Sequence, residues 1–407
     1  MLEWGKYEFS DCLVDNNVGR SSQINASEIH KTGKFPVIDQ GQDYIAGYSD
    51  EEDKLVKDGL PYVIFGDHTR CFKFVDFPFI VGADGTKVLS PNTELFEPTF
   101  FYYQLLSFDI PSRGYNRHFK LLKEKTVYRP EFLEQCKISY VLSTIQKYIE
   151  QQYKIIQTTS ELKKALMQKL FTEGTKGEKQ KQTEIGLVPE SWEVSKIGRM
   201  YDFTSKPRGL EIEFPVPFIP MEIVPITERY IKSYELRPTI SSGTYVENGD
   251  LLLAKITPSF ENGKQGFVNI SKPFSFATTE VIPLKSKKNQ SDLNFLYYYL
   301  LKDDIRKQLT DKMEGSTGRQ RLSKTILEET HIPMPTLDEQ KEIAELFIKL
   351  DNQISFDKKK KQTLSDLFKS LLHELMTGQR RVNAIDFEVS VNEYEIQNQP
   401  VSMAAER

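Results

Sequence analysis

The nearest approach to an acid–base pair is Asp67-His68, in the run Gly66-Asp67-His68-Thr69-Arg70 after the strand-like Tyr62-Val63-Ile64-Phe65. No nucleophile or third partner stands out beside it, so the pair makes no catalytic constellation. An amino-methyltransferase would need an N/D-P-P-Y/F tetrapeptide and a glycine-rich cofactor loop. Asp76-Phe77-Pro78-Phe79 lacks the first proline, and Gly82-Ala83-Asp84-Gly85 is not a G-x-G-x-x-G fingerprint. A G-x-x-x-x-G-K-[ST] loop for ATP is missing as well. Glu52-Asp53-Lys54 has the side chains of a carboxylate–lysine nuclease, but in a charged stretch without a strand, where a solvated turn is the plainer reading. The 5 histidines are dispersed, with no metal-ligand spacing. Cys12, Cys71 and Cys136 form no C-x-x-C pair and suggest neither a disulfide framework nor a zinc ribbon. The expectation is a non-catalytic chain with no metal or cofactor of its own.

Polar and basic loops offer a different chemistry. Between residues 112 and 129 lie Arg113, Arg117, Lys120, Lys123, Lys125 and Arg129 against Glu124 alone, a local net charge of +5. Arg113 and Arg117 suit phosphate contacts or a bidentate grip on guanine edges, with a solvated connector as the alternative. A second loop, EGSTGRQRLSK at 314–324, again places arginines, Arg319 and Arg321, beside glycine. Asp67, His68, Thr69 and Arg70, with Lys73 nearby, form a polar loop fixed by a strand, suited to base or phosphate readout or simply to a structural turn. In the second half Lys255, Thr257, Ser259, Asn262, Lys264 and Gln265 make a polar, proline-containing loop.

What must position these loops is a duplication. Shifted by 205 residues, Pro130 falls on Pro335, Glu134-Gln135 on Glu339-Gln340, and Ile138 on Ile343. Leu142, Ile145 and Ile149 then meet Phe347, Leu350 and Ile354, and Leu162, Leu166 and Leu170 meet Leu367, Leu371 and Leu375 without a gap. Apolar spacings of three, four and seven predict one long helix per copy, free of internal Gly and Pro, with Pro130 and Pro335 just upstream. The stripe is narrow, which favours a coiled-coil partner, and each copy is the obvious partner of the other. Upstream, the aromatic run 100–106 resembles 295–301, and both are preceded by short strand-like runs broken by glycine turns.

The predicted class is α+β: two mostly-β domains alternating with two long α-helices packed as an antiparallel coiled coil. The expected boundaries are 1–130 for the first domain, 131–172 for the central helix, 173–190 for a polar linker, and 191–334 for the second domain. The distal helix takes 335–379, and 380–407 forms an acidic tail expected to be disordered. The overall charge of −4 argues mildly against nucleic acid. Residues 382–407 account for all of it, with Asp386, Glu388, Glu393, Glu395 and Glu406 against Arg407, so the remainder is neutral. The sequence holds no run of eighteen or more apolar residues, and MLEWGKYEFS carries charge where a signal peptide needs an apolar stretch, so a cytoplasmic location without a signal peptide is expected.

Residues 162–192, LKKALMQKLFTEGTKGEKQKQTEIGLVPESW, closely resemble the central region of specificity subunits of type I restriction–modification systems. IPMPTLDEQKEIAEL (332–346) resembles the entry to that family's distal helix. VIFGDHTRCFKF (63–74), FIVGADGTKVL (79–89) and LLLAKITPSFENGKQGF (251–267) resemble blocks of its target-recognition domains. The first helix entry departs from the pattern, reading Arg129-Pro130-Glu131-Phe132-Leu133 where Pro-Pro-Leu is usual. The resemblance implies a subunit reading a bipartite site in double-stranded DNA, one half per target-recognition domain, with the helices setting the spacer. It implies two modification (methyltransferase) subunits and the restriction (translocase and nuclease) subunits as partners, with S-adenosylmethionine, ATP and Mg2+ on those partners. It also favours DNA contact for the 255–265 loop. Two readings compete: a repeated protein-interaction scaffold without DNA specificity, and a self-contained restriction enzyme, which would need the motifs absent above.

Overall fold

The computed structural model describes residues 4–16, 18–19, 22–82, 84–112, 114, 116–316 and 318–382, and the statements below refer to these. Two compact units emerge, and neither is a contiguous half of the chain. One comprises residues up to Tyr153 together with the chain from Lys359 onward, and the other is Lys154–Lys358. Each therefore contains one end of each long helix, Phe132–Glu173 (the central helix) and Leu337–Met376 (the distal helix).

The helices close where glycine allows it. Gly174 and Gly378 follow them with φ of 64° and 66°, the left-handed conformation that satisfies the last carbonyls without a Cβ penalty. In the first unit Ile138 and Leu142 of the central helix share a core with Leu372, Leu375 and Met376 of the distal helix. In the second, Leu170 and Phe171 of the central helix pack with Ile343 and Phe347 of the distal one. Start meets end in both cases, so the pair is antiparallel, as the matched stripes predict. Each fully buried Leu or Ile of the stripe contributes roughly 1.5–3 kcal/mol.

The first unit holds a three-stranded antiparallel sheet in the order Phe72–Val75, Tyr62–Gly66, Thr86–Leu89. Beside it lie a four-stranded mixed sheet (Gln23–Ile24, Ile80–Gly82, Phe35–Ile38, Gly47–Ser49) and the pair Gly5–Glu8 with Thr126–Arg129. In the second unit Leu251–Ala254 sits between Gln265–Val268 and Val281–Ser286, with Tyr201–Phe203 and Tyr230–Ile231 at the two edges. Its other large sheet runs Glu235–Arg237, Val216–Ile219, Phe274–Ala277, Thr244–Glu247. The aromatic runs form the buried helices Pro98–Leu106 and Leu293–Tyr299, capped by Glu97 and Asp292.

The duplication extends to single hydrogen bonds. Gln135 donates to the Pro130 carbonyl at 3.0 Å and accepts from Glu97 N at 2.9 Å. Gln340 donates to the Pro335 carbonyl at 3.0 Å and accepts from Asp292 N at 2.9 Å. One glutamine thus ties the helix entry to the cap of the aromatic helix in each unit. Glu134, 4% exposed, takes a bidentate grip from Arg381 at 2.6 and 2.8 Å. Glu339, 3% exposed, is met by Lys176 at 3.2 Å, and Lys176 and Arg381 are themselves 205 residues apart.

At the helix–helix contact the copies differ. In the second unit Asp351 accepts from Tyr298 Oη at 2.7 Å and pairs with Lys163. The first unit has Gln146 in that place, accepting from Tyr103 Oη at 3.0 Å, with Phe368 edge-on to the Tyr103 ring at 5.9 Å.

Two expectations need correction. The stretch 173–190, read as a plain connector, holds the hairpin Gln180–Thr183/Gly186–Pro189. The start of the expected tail is docked, with Arg381 on Glu134 and Val382 fully buried; residues 383–407 lie outside the described residues.

Candidate nucleic-acid interface

In the first unit the strand Tyr62–Gly66 runs into the 67–70 loop, and Asp67 fastens that loop to the basic segment. Its carboxylate accepts from His118 N at 2.8 Å and Phe119 N at 2.7 Å, and His118 N also donates to its carbonyl at 2.9 Å. Asp67 is 1% exposed, so the expectation that it touches DNA is corrected: it positions the helix Phe119–Lys123. Lys73 is corrected likewise. It is 4% exposed, and its ammonium is taken up by the Asp39 carbonyl at 2.8 Å and by Asp43 O. Burial lowers its pKa, against the Asp39 charge, which raises it.

The other residues of this loop are mixed. Thr69 gives its hydroxyl to the Gln40 carbonyl, and His68 N donates to Gln40 Oε1 at 3.2 Å; both side chains are half-buried. Arg70 is exposed with φ of 63° and donates to the Ile110 carbonyl at 2.8 Å. Arg117 and Lys120 are exposed, Arg117 standing 3.7 Å from the still more exposed Asp84. Arg113 lies outside the described residues.

Two further cations join this set. Lys87 and Lys123 lie 5.7 and 5.0 Å from the Phe119 ring. Lys123 belongs to the basic run visible in the sequence. Lys87 comes from the strand Thr86–Leu89 and arrives only through its register opposite Phe65, a long-range fact without a local signal.

The second unit stitches the matching segments. Lys255 O accepts from Leu322 N at 2.7 Å, and Thr257 exchanges two bonds with Gln320, N to O at 3.1 Å and Gln320 N to Oγ1 at 3.0 Å. This fastens the 255–264 loop to the hairpin Glu314–Ser316/Arg319–Arg321. Lys255 is half-buried; burial, then the neighbouring Arg321 charge, lowers its pKa. Two cations held together in this way favour an anion such as a phosphate. Asn262 and Arg321 are exposed and Ser259 is half-buried. The backbone of Arg319 lies in the hairpin; its side chain is outside the described residues.

Lys264 is half-buried and donates to the Met221 carbonyl at 2.7 Å. Gln265 is a third correction. It is 1% exposed, donates to the Tyr297 carbonyl at 2.8 Å and accepts from Arg306 at 2.7 Å, a core position unavailable to DNA. Among the described residues no group of His, Cys, Asp and Glu could hold a metal ion, and no helix is long and apolar enough to cross a membrane.

Duplicated α+β units completed by two antiparallel helices, with a basic loop pair on each unit, define a repeated protein whose copies differ mainly at their loops. Residues 189–366 match the family model described as the type I restriction modification DNA specificity domain. The MjaVIII specificity subunit of a type I restriction enzyme from Methanocaldococcus jannaschii is 28% identical over 278 residues, 66% of this chain and 65% of that protein. A putative MjaX specificity subunit from the same organism is 28% identical over 334 residues, 75% of this chain and 73% of that one. Among solved structures, the S subunit of a type I system from M. genitalium shares the fold, with a TM-score of 0.58 and 16% identity over 92% of this chain and 96% of that chain. Over these spans the chain is similar to the specificity subunits of type I restriction enzymes.

Proposed function

We propose that this chain reads a bipartite DNA site, one half through each copy, and recruits methyltransferase and restriction subunits to it. The carrying observation is that both units join the same two segments, a strand-end loop and the glycine–arginine loop, while furnishing them with different side chains. Arg70, Arg117 and Lys120, with Lys87 and Lys123, are offered by the first unit. Lys255, Thr257, Ser259, Asn262 and Arg321 are offered by the second. Like scaffolds with unlike tips are what two different half-sites require, since base edges are told apart by side-chain donors and acceptors.

In this reading the chain is non-catalytic and cytoplasmic. Two modification subunits carry S-adenosylmethionine, and the restriction subunits carry ATP and Mg2+. These partners add electrostatic grip that a nearly neutral chain lacks. The two long helices fix the length of the unread spacer. Methylome sequencing of cells that express the chain with its partners tests the reading. Exchanging the 66–70 and 112–120 segments should change one half-site and leave the other intact. Changes in both halves would refute the modular assignment. Absence of sequence-specific, salt-dependent DNA retention by the assembled complex would favour a protein-interaction scaffold.

A further inference from the structure

A cleft of about 560 Å3 opens in the first unit, lined among others by Tyr44, Phe74, Asp76, Thr99, Tyr102 and Glu150. It borders Lys73 and the Tyr103–Gln146 contact but has no role in the reading above. Its meaning comes from the other copy. Sheet register equates Val63 with Leu251, because each sits between an aromatic and a leucine, Phe74 and Leu89 in one unit, Phe267 and Leu284 in the other. Phe74 lies 5.7 Å from the Tyr102 ring, and Phe267 lies 5.3 Å from the Tyr297 ring. Thr99 corresponds to Asn294 along the matched aromatic helices.

At these positions the second unit is occupied by its own arginine. The Arg229 guanidinium lies 5.5 Å from the Phe267 ring and 4.9 Å from the Tyr230 ring, and it donates to Asn294 Oδ1 at 2.8 Å. It arrives on an extended segment, with Phe267 N donating to Arg229 O at 2.8 Å and Tyr230–Ile231 pairing parallel to Gln265–Val268. The equivalent strand of the first unit, Phe72–Val75, is an edge of its sheet among the described residues. Two exposed carboxylates, Asp76 and Glu150, are added at this cleft beside one exposed cation, Lys147, and the residue matching Glu150 in the distal helix is Ser355.

We infer that this cleft is a socket for an arginine carried on an extended segment of a partner polypeptide. Aromatic faces and two carboxylates suit a guanidinium, which stacks on rings and forms charge-assisted bonds. On the edge strand the Phe74 carbonyl is already taken by the Tyr44 hydroxyl, so the side chain carries the recognition. The stretch 383–407 is a poor occupant, since its acids outnumber its single Arg407.

The test uses the full chain and a fluorescent peptide with the sequence of residues 225–234, read by anisotropy. Saturable binding is expected, weakened about tenfold by Glu150→Gln or Asp76→Asn, both at exposed positions. Replacing the peptide's arginine with citrulline should abolish binding, and Asn294→Ala should leave it unchanged. A lack of saturable binding, equal binding of the citrulline peptide, or indifference to both carboxylate variants would overturn the inference. Displacement by spermidine at equal concentration would reassign the cleft to free cations and overturn it too.

Discussion

Asp67 carries two backbone N–H groups of the segment that presents Arg117 and Lys120. Asp67→Ala should therefore cost about 1–3 kcal/mol of stability by leaving buried donors unpaired, measurable by urea denaturation. Arg117→Ala should leave stability alone, weaken DNA retention evenly across sequences, and reduce the salt slope by about one. Asp250 gives a pH test. Burial, despite hydrogen bonds from Glu247 N and Thr204, raises its pKa from 3.8 to about 6. The folded state then holds a proton that the unfolded state releases, so this residue lowers stability as pH rises from about 4 to about 6. Asp250→Asn should flatten that part of the stability profile and gain on the order of 2 kcal/mol relative to the parent at pH 7. A difference profile without slope over that window would sink the assignment. Residue type alone could not separate Asp67, Lys73 and Gln265 from the exposed readers. All three are polar residues in or beside loops, and burial by distant segments decides their roles.

Among elements, the long helices were the most legible, because a fixed shift of 205 residues keeps the core stripe apolar, from Ile138 on Ile343 to Leu170 on Leu375. The globular parts were less so, and the reason is visible in the pairing. The shift that superposes them is 188 at Val63 and Leu251, 193 at Phe74 and Phe267, and 195 at Tyr102 and Tyr297. One length difference falls in the 66–70 and 255–264 reader loops, where insertion costs little, and another includes the helix Asp303–Asp311 of the second unit as well as the glycine–arginine loop. A sliding comparison loses the match there although the strands remain equivalent. The end of the central helix offers a local test. A Cβ on Gly174 would lie 2.8 Å from Glu339 Oε1 and 3.1 Å from the Trp192 ring, at φ of 64°. Gly174→Ala should destabilise by about 1–2 kcal/mol, whereas Gly177→Ala, with nothing within 4 Å, carries only the backbone strain. Equal melting temperatures for the two variants would contradict the packing argument.

For the whole molecule, neutrality outside the acidic C-terminal stretch coexists with a run of +5, so binding should depend on where charge sits more than on its sum. The spacer reading also belongs at this scale. Inserting four residues at Thr159 lengthens the central helix by ~6 Å, about one or two base pairs at roughly 3.4 Å each. The methylated motif should then show a longer gap between its halves, and an unchanged gap would refute the helices as its determinant. The differing helix contacts have one more consequence. If two copies of the C-terminal repeat paired with each other, each Asp351 would keep Tyr298 but face Phe368 in place of Lys163, a half-buried carboxylate without its cation. The duplicated halves are thereby matched as unlike partners, so the ancestral symmetry of the repeat has become a lock and key within one chain.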